Sequence, residues 1–301
     1  MPASDAVPVE GLADTYTVDT RLYGFEGALS QFVLASEEPV VVDTGAANTT
    51  DRTYAALEEL EIAREDVRHV LVTHVHLDHA GGAGEFAREF PNATFYLHPE
   101  GYDYVTDPDR LAALKRSVDR AMGTEDAYGD PELVPEDRVV TVADGERLDV
   151  GDHVLRFVDA PGHAPHHFAA FDGTTGGLFS IDAAGMYQDG AMRPTTPPPS
   201  FDLRANLDTV ARLRELDPET NLYGHFGPGE PGEAVAELDR YEELLPEWVE
   251  FVDEHREERP SVSEILEVTG SEWQSPTVQR DVAGVLKFLR EREEEGAAAS
   301  D

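Results

Sequence analysis

Thr73-His74-Val75-His76-Leu77-Asp78-His79-Ala80-Gly81-Gly82 is the most informative stretch of this 301-residue chain. It sets three histidines and an aspartate within six positions, directly after the apolar run Val67-Arg68-His69-Val70-Leu71-Val72. Short β-branched runs bounded by polar residues read as buried strands, so the cluster falls where a strand ends. Residues two apart in extended backbone point the same way, so His74 and His76 can face one ion together. Asp78 and His79, on the turn that follows, can reach a second position nearby. Imidazole nitrogens and carboxylate oxygens suit zinc, iron or manganese.

Further ligands for such a site should also sit at strand ends, and three residues do. His163 follows a strand in Ala160-Pro161-Gly162-His163, Asp182 ends Leu178-Phe179-Ser180-Ile181, and His225 ends Leu222-Tyr223-Gly224. A lone histidine at a strand end is usually hydrogen-bonded structure; two histidines and an aspartate at strand ends, beside an HxHxDH cluster, read as ligands.

Composition narrows the chemistry. The chain has no cysteine, so disulfides, thiolate metal sites and thiol nucleophiles are excluded. It carries 62 acidic against 23 basic residues, a formal charge of -39. Self-repulsion on that scale strains a compact fold in dilute buffer, and concentrated salt screens it. The expectation is a protein of a salt-loving organism with a salty cytoplasm, such as a haloarchaeon. The same charge argues against nucleic acid as a partner, which would need a basic groove. The start, Met1-Pro2-Ala3-Ser4-Asp5, lacks the basic patch and apolar core of a signal peptide, and no apolar run has membrane-spanning length. A cytoplasmic protein with a small-molecule substrate and no membrane partner is expected.

The pattern of elements is mixed. Strands are predicted from residue 15, at Pro39–Val42, before the motif, at Ala93–Leu97 and repeatedly from Arg138 to Asp182, with another at Asn221–Tyr223. Helices are predicted at Thr50–Ile62, Gly84–Phe90, 100–123 and Leu203–Leu216. After residue 230 the pattern is purely helical. Pro246 should kink or split a helix over Ala234–Glu258. Ser261-Val262-Ser263-Glu264 reads as a capping box, and Ser275-Pro276 as the start of the last helix. Val278, Val282, Val285, Leu286 and Leu289 form that helix's apolar stripe. This divides the chain into an N-terminal segment (1–14), a main domain (15–230), a helical extension (231–293) and a frayed tail (294–301).

The constellation resembles the metallo-β-lactamase superfamily over roughly residues 15–230. The ligand order HxHxDH, then Gly-His, then Asp, then a final His is met in full. The resemblance implies an α+β fold, an αββα sandwich with the site at one edge, followed here by the helical extension. It implies two divalent ions, Zn2+ first and iron or manganese as alternatives. His74, His76 and His163 would hold one ion and Asp78, His79 and His225 the other, with Asp182 between them. Ile181 departs from the pattern, since many members have glycine before that aspartate. Asp43, ending a buried strand before Thr44-Gly45, would support a ligand histidine, and His167 would take a buried supporting role.

The implied activity is metal-dependent hydrolysis, a water shared by two ions and oriented by Asp78 attacking an acyl carbonyl. The phrases THxHxDHxGG and PGHxxxH look most like glyoxalase II-type thioesterases. A lactonase or β-lactamase would share every ligand, and a persulfide dioxygenase would use one iron on the same fold. Tyr187 could donate a hydrogen bond to substrate or leaving group, and Arg193, in the Pro-rich loop 193–200, could hold a carboxylate. His98 is at best a pocket wall, His166 incidental, and His69, His153 and His255 surface or packing residues. The C-terminal helices could dock on the sandwich, close the pocket or form a homodimer face.

Overall fold

A computed structural model describes residues 5–188 and 190–298. Seven strands form one sheet in chain order: β1 (Val7–Pro8), β2 (Thr15–Asp19), β3 (Ser30–Leu34), β4 (Val40–Val42), β5 (His69–Val72), β6 (Thr94–Leu97) and β7 (Val139–Thr141). Pairing is antiparallel up to β4 and parallel from β4 to β7. The next strands are β8 (Arg147–Asp149), β9 (Val154–Asp159), β10 (Phe168–Asp172) and β11 (Gly177–Phe179), then a separate hairpin of β12 (Met186–Gln188) and β13 (Ala191–Arg193), and last β14 (Thr220–Asn221). The second sheet runs in the order β14-β11-β10-β9-β8.

Period-two alternation sorts the strand side chains into layers. Phe32, Leu34, Val40, Val42 and Leu71 meet Leu155, Phe157, Phe168, Ala170 and Phe179 between the sheets. Val33, Val41, Val70, Val72 and Phe95 point the other way, where α1 (Thr50–Glu59), α3 (Ala83–Glu89) and α4 (Tyr102–Thr106) cover the first sheet. A single turn, α2 (Leu77–Ala80), carries the motif, and α5 (Pro108–Met122) follows α4. The helix predicted over 100–123 is broken at Pro108: Asp107 caps α5 by accepting from the amides of Asp109 and Arg110.

The outer face of the second sheet is covered by α6 (Leu203–Arg214), α7 (Ala234–Arg256), α8 (Val262–Leu266) and α9 (Val278–Ala298). Val158, Ala169, Leu178 and Tyr223 of the sandwich share one core with Leu245, Trp248, Ile265, Val282, Val285 and Leu289. The extension is thus the outer layer of the sandwich, and the stripe on α9 is spent inside it. Pro246 lies within α7 without splitting it, and the capping box at Ser261 and Glu264 forms as expected. The last helix starts at Val278, two residues after Pro276, and continues to Ala298 through most of the stretch expected to fray. At the other end, Val7–Pro8 inside the expected N-terminal segment joins the first sheet. The strand expected at Asn221–Tyr223 lies one residue earlier, and Tyr223 is already in the connection to the site.

Some basic residues are each shared among several acids. Lys115 faces Asp119, Asp126 and Asp130, and Arg88 faces Glu85, Glu89 and Glu132. The remaining acids repel one another with no cation between them, so screening should stabilise the fold on balance. Thermal unfolding followed by circular dichroism is expected to show a midpoint at least about 10 °C higher in about 3 M KCl than in about 0.1 M. A midpoint that falls with salt would contradict this account.

Candidate metal centre

The motif begins where β5 ends. Thr73 and His74 continue the strand direction, and α2 turns back at once, presenting Asp78 and His79 to the same point. The turn is fixed from beneath by Asp43, at the end of β4. One Asp43 oxygen accepts from the Thr73 amide (2.9 Å) and hydroxyl (2.8 Å), the other from His79 Nδ1 (2.8 Å). Gly81 and Gly82 lie so close to Leu77, Ala46 and Thr44 that a Cβ on either would collide with backbone. The glycines let the turn close.

The other three residues arrive from the second sheet. His163 follows β9, Asp182 follows β11, and His225 follows β14. His76 Nδ1 lies 3.0 Å from His163 Nε2, and His79 Nε2 lies 3.3 Å from His225 Nε2. Asp182 Oδ2 is 3.5 Å from both His79 Nε2 and His163 Nε2 and 3.7 Å from His225 Nε2. Two groups of ligand atoms result, His74-His76-His163 and Asp78-His79-His225, with Asp182 reaching both.

The residues fit divalent ions. His79 Nδ1 donates to Asp43, His163 Nδ1 to the Thr195 carbonyl (3.1 Å) and His225 Nδ1 to the Ala28 carbonyl (2.8 Å). Each ring therefore turns an Nε2 lone pair towards the centre, the arrangement that metal-ligating histidines adopt. His74 Nδ1 lies 3.2 Å from the Thr73 hydroxyl; its Nε2 and Asp182 Oδ1 are buried without a hydrogen-bond partner among the described residues. Buried polar atoms left unpaired are costly, and a coordinated cation satisfies them.

Electrostatics point the same way. Burial and the neighbouring imidazoles hold His74 and His76 well below the ordinary imidazole range, in the neutral form that can ligate. At His79 burial is outweighed by Asp182 and Asp43, which raise its basicity. The carboxylates that would draw a proton onto His79 would equally draw a metal cation. Burial opposes ionisation of Asp182, but His79, His225 and His163 outweigh it and keep the carboxyl far below its usual range.

Other sequence-predicted residues take mixed places. Ile181 has φ 50°, a left-handed conformation rare for a β-branched residue, which explains what glycine offers at this turn. His167 is buried and stacks on His74 with ring centroids 4.7 Å apart, but neither of its nitrogens is hydrogen-bonded. Its support is by packing. His166 is not incidental: its Nδ1 accepts from the Val75 amide (3.3 Å), and burial pushes the ring down to about 4, so the acceptor persists. His98 caps a turn and pairs with Asp159, away from the centre. His69 pairs with Glu38, and His153 is buried against Asp172. Arg193 gives its guanidinium to the carbonyls of Gln274 and Met192, tying the hairpin to the extension. Tyr187 stacks on Tyr223 and its hydroxyl meets Glu230, on a cavity wall beside the centre.

Tyr128, Arg280 and Asp281 were not singled out from the sequence. Tyr128 donates to Asp78 Oδ2 (3.4 Å), and Arg280 Nη1 donates to the Tyr128 hydroxyl (2.9 Å). Asp281 accepts from the Thr196 amide (2.6 Å) and the Thr277 hydroxyl (2.7 Å), and burial pushes its carboxyl up to about 6. It fastens α9 to the loop whose Thr195 supports His163 and the Asp182 carbonyl. A crevice bordered by Met186, Pro197, Thr277 and Arg280 lies over the ligands. It adjoins a cavity of about 860 Å³ walled by residues including Tyr23, Phe25, Met122, Tyr187 and Phe226.

An αββα sandwich with these seven side chains at one edge defines a class of metal-dependent hydrolases. The metallo-β-lactamase superfamily profile matches residues 24–225, and the chain belongs to that superfamily. Among its relatives is the metallo-β-lactamase fold-containing protein ST1585 of Sulfurisphaera tokodaii, 29% identical over 226 residues, which span 73% of this chain and 80% of that one. The N-acyl homoserine lactonase AttM of Azorhizobium caulinodans is 34% identical over 171 residues, 54% of this chain and 57% of that one. The solved structure of ST1585 superposes with a TM-score of 0.69 at 23% identity, covering 94% of this chain and all (100%) of the other. That likeness establishes the fold. Among the described residues no helix is long and apolar enough to cross a membrane.

Proposed function

We propose that this chain is a dinuclear metal-dependent hydrolase that opens the acyl carbonyl of a lactone or thioester. The observation that carries this reading is the meeting of seven ligand-type side chains beneath a roomy cavity with a largely aromatic and aliphatic wall. Lactones are supported by the homoserine lactonase relatives, which match about half of this chain. Thioesters are supported by the paired phrases THxHxDHxGG and PGHxxxH, although no glyoxalase II is among the relatives described above.

Divalent ions, when bound, would supply Lewis acidity and activate water. His74, His76 and His163 would hold one ion and Asp78, His79 and His225 the other, with Asp182 shared. The chain's own residues do the rest. Asp43 and the Thr195 and Ala28 carbonyls aim the ligand rings, and Asp78 lies where it can hold the proton of an attacking water. No thiol nucleophile is available.

The test is metal analysis of protein purified in concentrated KCl, with parallel assays on N-acyl homoserine lactones, S-lactoylglutathione and nitrocefin. About two divalent ions per chain, with lactone or thioester turnover abolished by chelation and restored by zinc, is the expected result. One iron per chain with oxygen consumed on a persulfide would replace this reading with a dioxygenase.

A further inference from the structure

The C-terminal helix α9 reaches the metal centre through one side chain. Asp78 is 4% exposed, and among the described residues the hydroxyl of Tyr128 is its one hydrogen-bond donor. That hydroxyl accepts from Arg280 Nη1, which itself stands 3.8 Å from Asp78 Oδ2. Tyr128 comes from the loop after α5 and stacks on Tyr23 at 5.8 Å, which fixes the plane of its ring. We propose that Arg280 and Tyr128 are positioning residues that hold the Asp78 carboxylate in ligating orientation, making α9 part of the metal centre.

α9 is fastened for such a role. Gly284 brings the helix so close to the loop after β13 that a Cβ there would overlap the Thr196 carbonyl. Asp281 accepts from the Thr196 amide, and the Thr196 hydroxyl donates to the Asp281 carbonyl (3.1 Å) and accepts from Trp248 Nε1 (3.0 Å). Arg280 is adjacent in sequence to that clamp, which fixes the backbone from which its guanidinium reaches the crevice. The Oδ2 that Tyr128 and Arg280 approach is also the Asp78 oxygen 3.9 Å from His225 Nε2, so these donors from outside the ligand set fix the carboxylate at the edge it turns to the centre, as supporting donors usually do. Chains of hydrogen bonds polarise one another, so the Arg280–Tyr128–Asp78 series is worth more than its single links.

Electrostatics give this proposal a sharp alternative. A guanidinium beside a site for dications repels them, so a bystander cation would weaken metal binding, and its removal would tighten it. A positioning residue has the opposite sign.

The inference rests on the metal-centre reading above. Zinc affinity is to be measured by competition with a chromophoric chelator for the wild type, Arg280→Met, Arg280→Lys and Tyr128→Phe, with Co(II) absorption spectra and kcat and KM on the best substrate found. Arg280→Met and Tyr128→Phe are expected to weaken one of two zinc sites by about 10- to 100-fold. The Co(II) bands should change and kcat should fall more than KM rises, with Arg280→Lys recovering part of each. Tyr128→Phe removes a single oxygen and keeps the inquiry open if Arg280→Met fails to fold. Unchanged or tighter zinc binding in both variants would overturn the proposal while leaving the hydrolase reading intact. A wild type that binds no divalent metal would overturn both.

Discussion

Asp182→Ala is expected to lose at least one of the two metal ions and to reduce kcat/KM by about a thousandfold or more. Its Oδ2 alone among the described carboxylate oxygens stands within 4 Å of histidines from both ligand groups, His163 on one side and His79 and His225 on the other. Alanine would leave those nitrogens facing each other with no anion between them, and any dication held there would lose a negative charge from a buried position. Asp182→Asn keeps the shape and removes the charge, so it separates the two contributions; an intermediate metal affinity is expected. Elemental analysis alongside turnover checks the outcome. Full metal content with wild-type kinetics in Asp182→Ala would mean that the centre is not where chemistry occurs.

Gly224→Ala should damage the same centre by adding one methyl group. A Cβ at this position would stand 2.6 Å from Asp182 Oδ1, 2.7 Å from His79 Cε1 and 2.9 Å from Ile181 Cγ2. The backbone cannot withdraw easily, because the Gly224 carbonyl accepts from the Ser30 amide (2.8 Å) and the Ser30 hydroxyl donates to the neighbouring Tyr223 carbonyl (2.6 Å). The side chains must yield, and two of them, Asp182 and His79, belong to the proposed ligand set. We expect metal affinity to fall by about 10- to 100-fold, with an overpacking cost of about 1–3 kcal/mol to the metal-free fold. Gly173→Ala is the matched control, since its Cβ would meet a single atom at 3.8 Å without a left-handed backbone. Chelator competition and thermal melting of the metal-free proteins would separate the effects. Equal metal affinity in Gly224→Ala and wild type would show that the centre has more slack than these distances allow.

The legible part of this protein is the part that local rules govern. HxHxDH after an apolar run places four ligand-type side chains by strand alternation and one turn, and no distant contact is needed to see it. His163, Asp182 and His225 were readable because strand ends carry recognisable turns and because their order matches a known pattern. The helix expected to open at Ser275-Pro276 begins at Val278, and of the kink or split expected at Pro246 the split does not occur, since a local signal of a few kcal/mol can be outweighed by the packing of a buried helix. Trp248 and Leu245, buried in the core beside Pro246, hold α7 together.

By itself the sequence determined the strand-end position of the site and the residue types able to bind metal, because periodicity and turn chemistry are properties of neighbouring residues, while the αββα class followed from the resemblance of the ligand order to a known superfamily. Only the tertiary structure decided that the extension and the sandwich share one core, that Tyr128 and Arg280 stand behind Asp78, and that Tyr187 and Arg193 both border the cavity beside the centre. Those contacts join residues distant in the chain, 152 positions apart for Tyr128 and Arg280, and depend on rotamers and helix docking. A lone arginine on an amphipathic helix looks the same in sequence whether it faces solvent or a metal ligand. The difference lies in Gly284 and Asp281, which set how closely that helix approaches the loop beside the site.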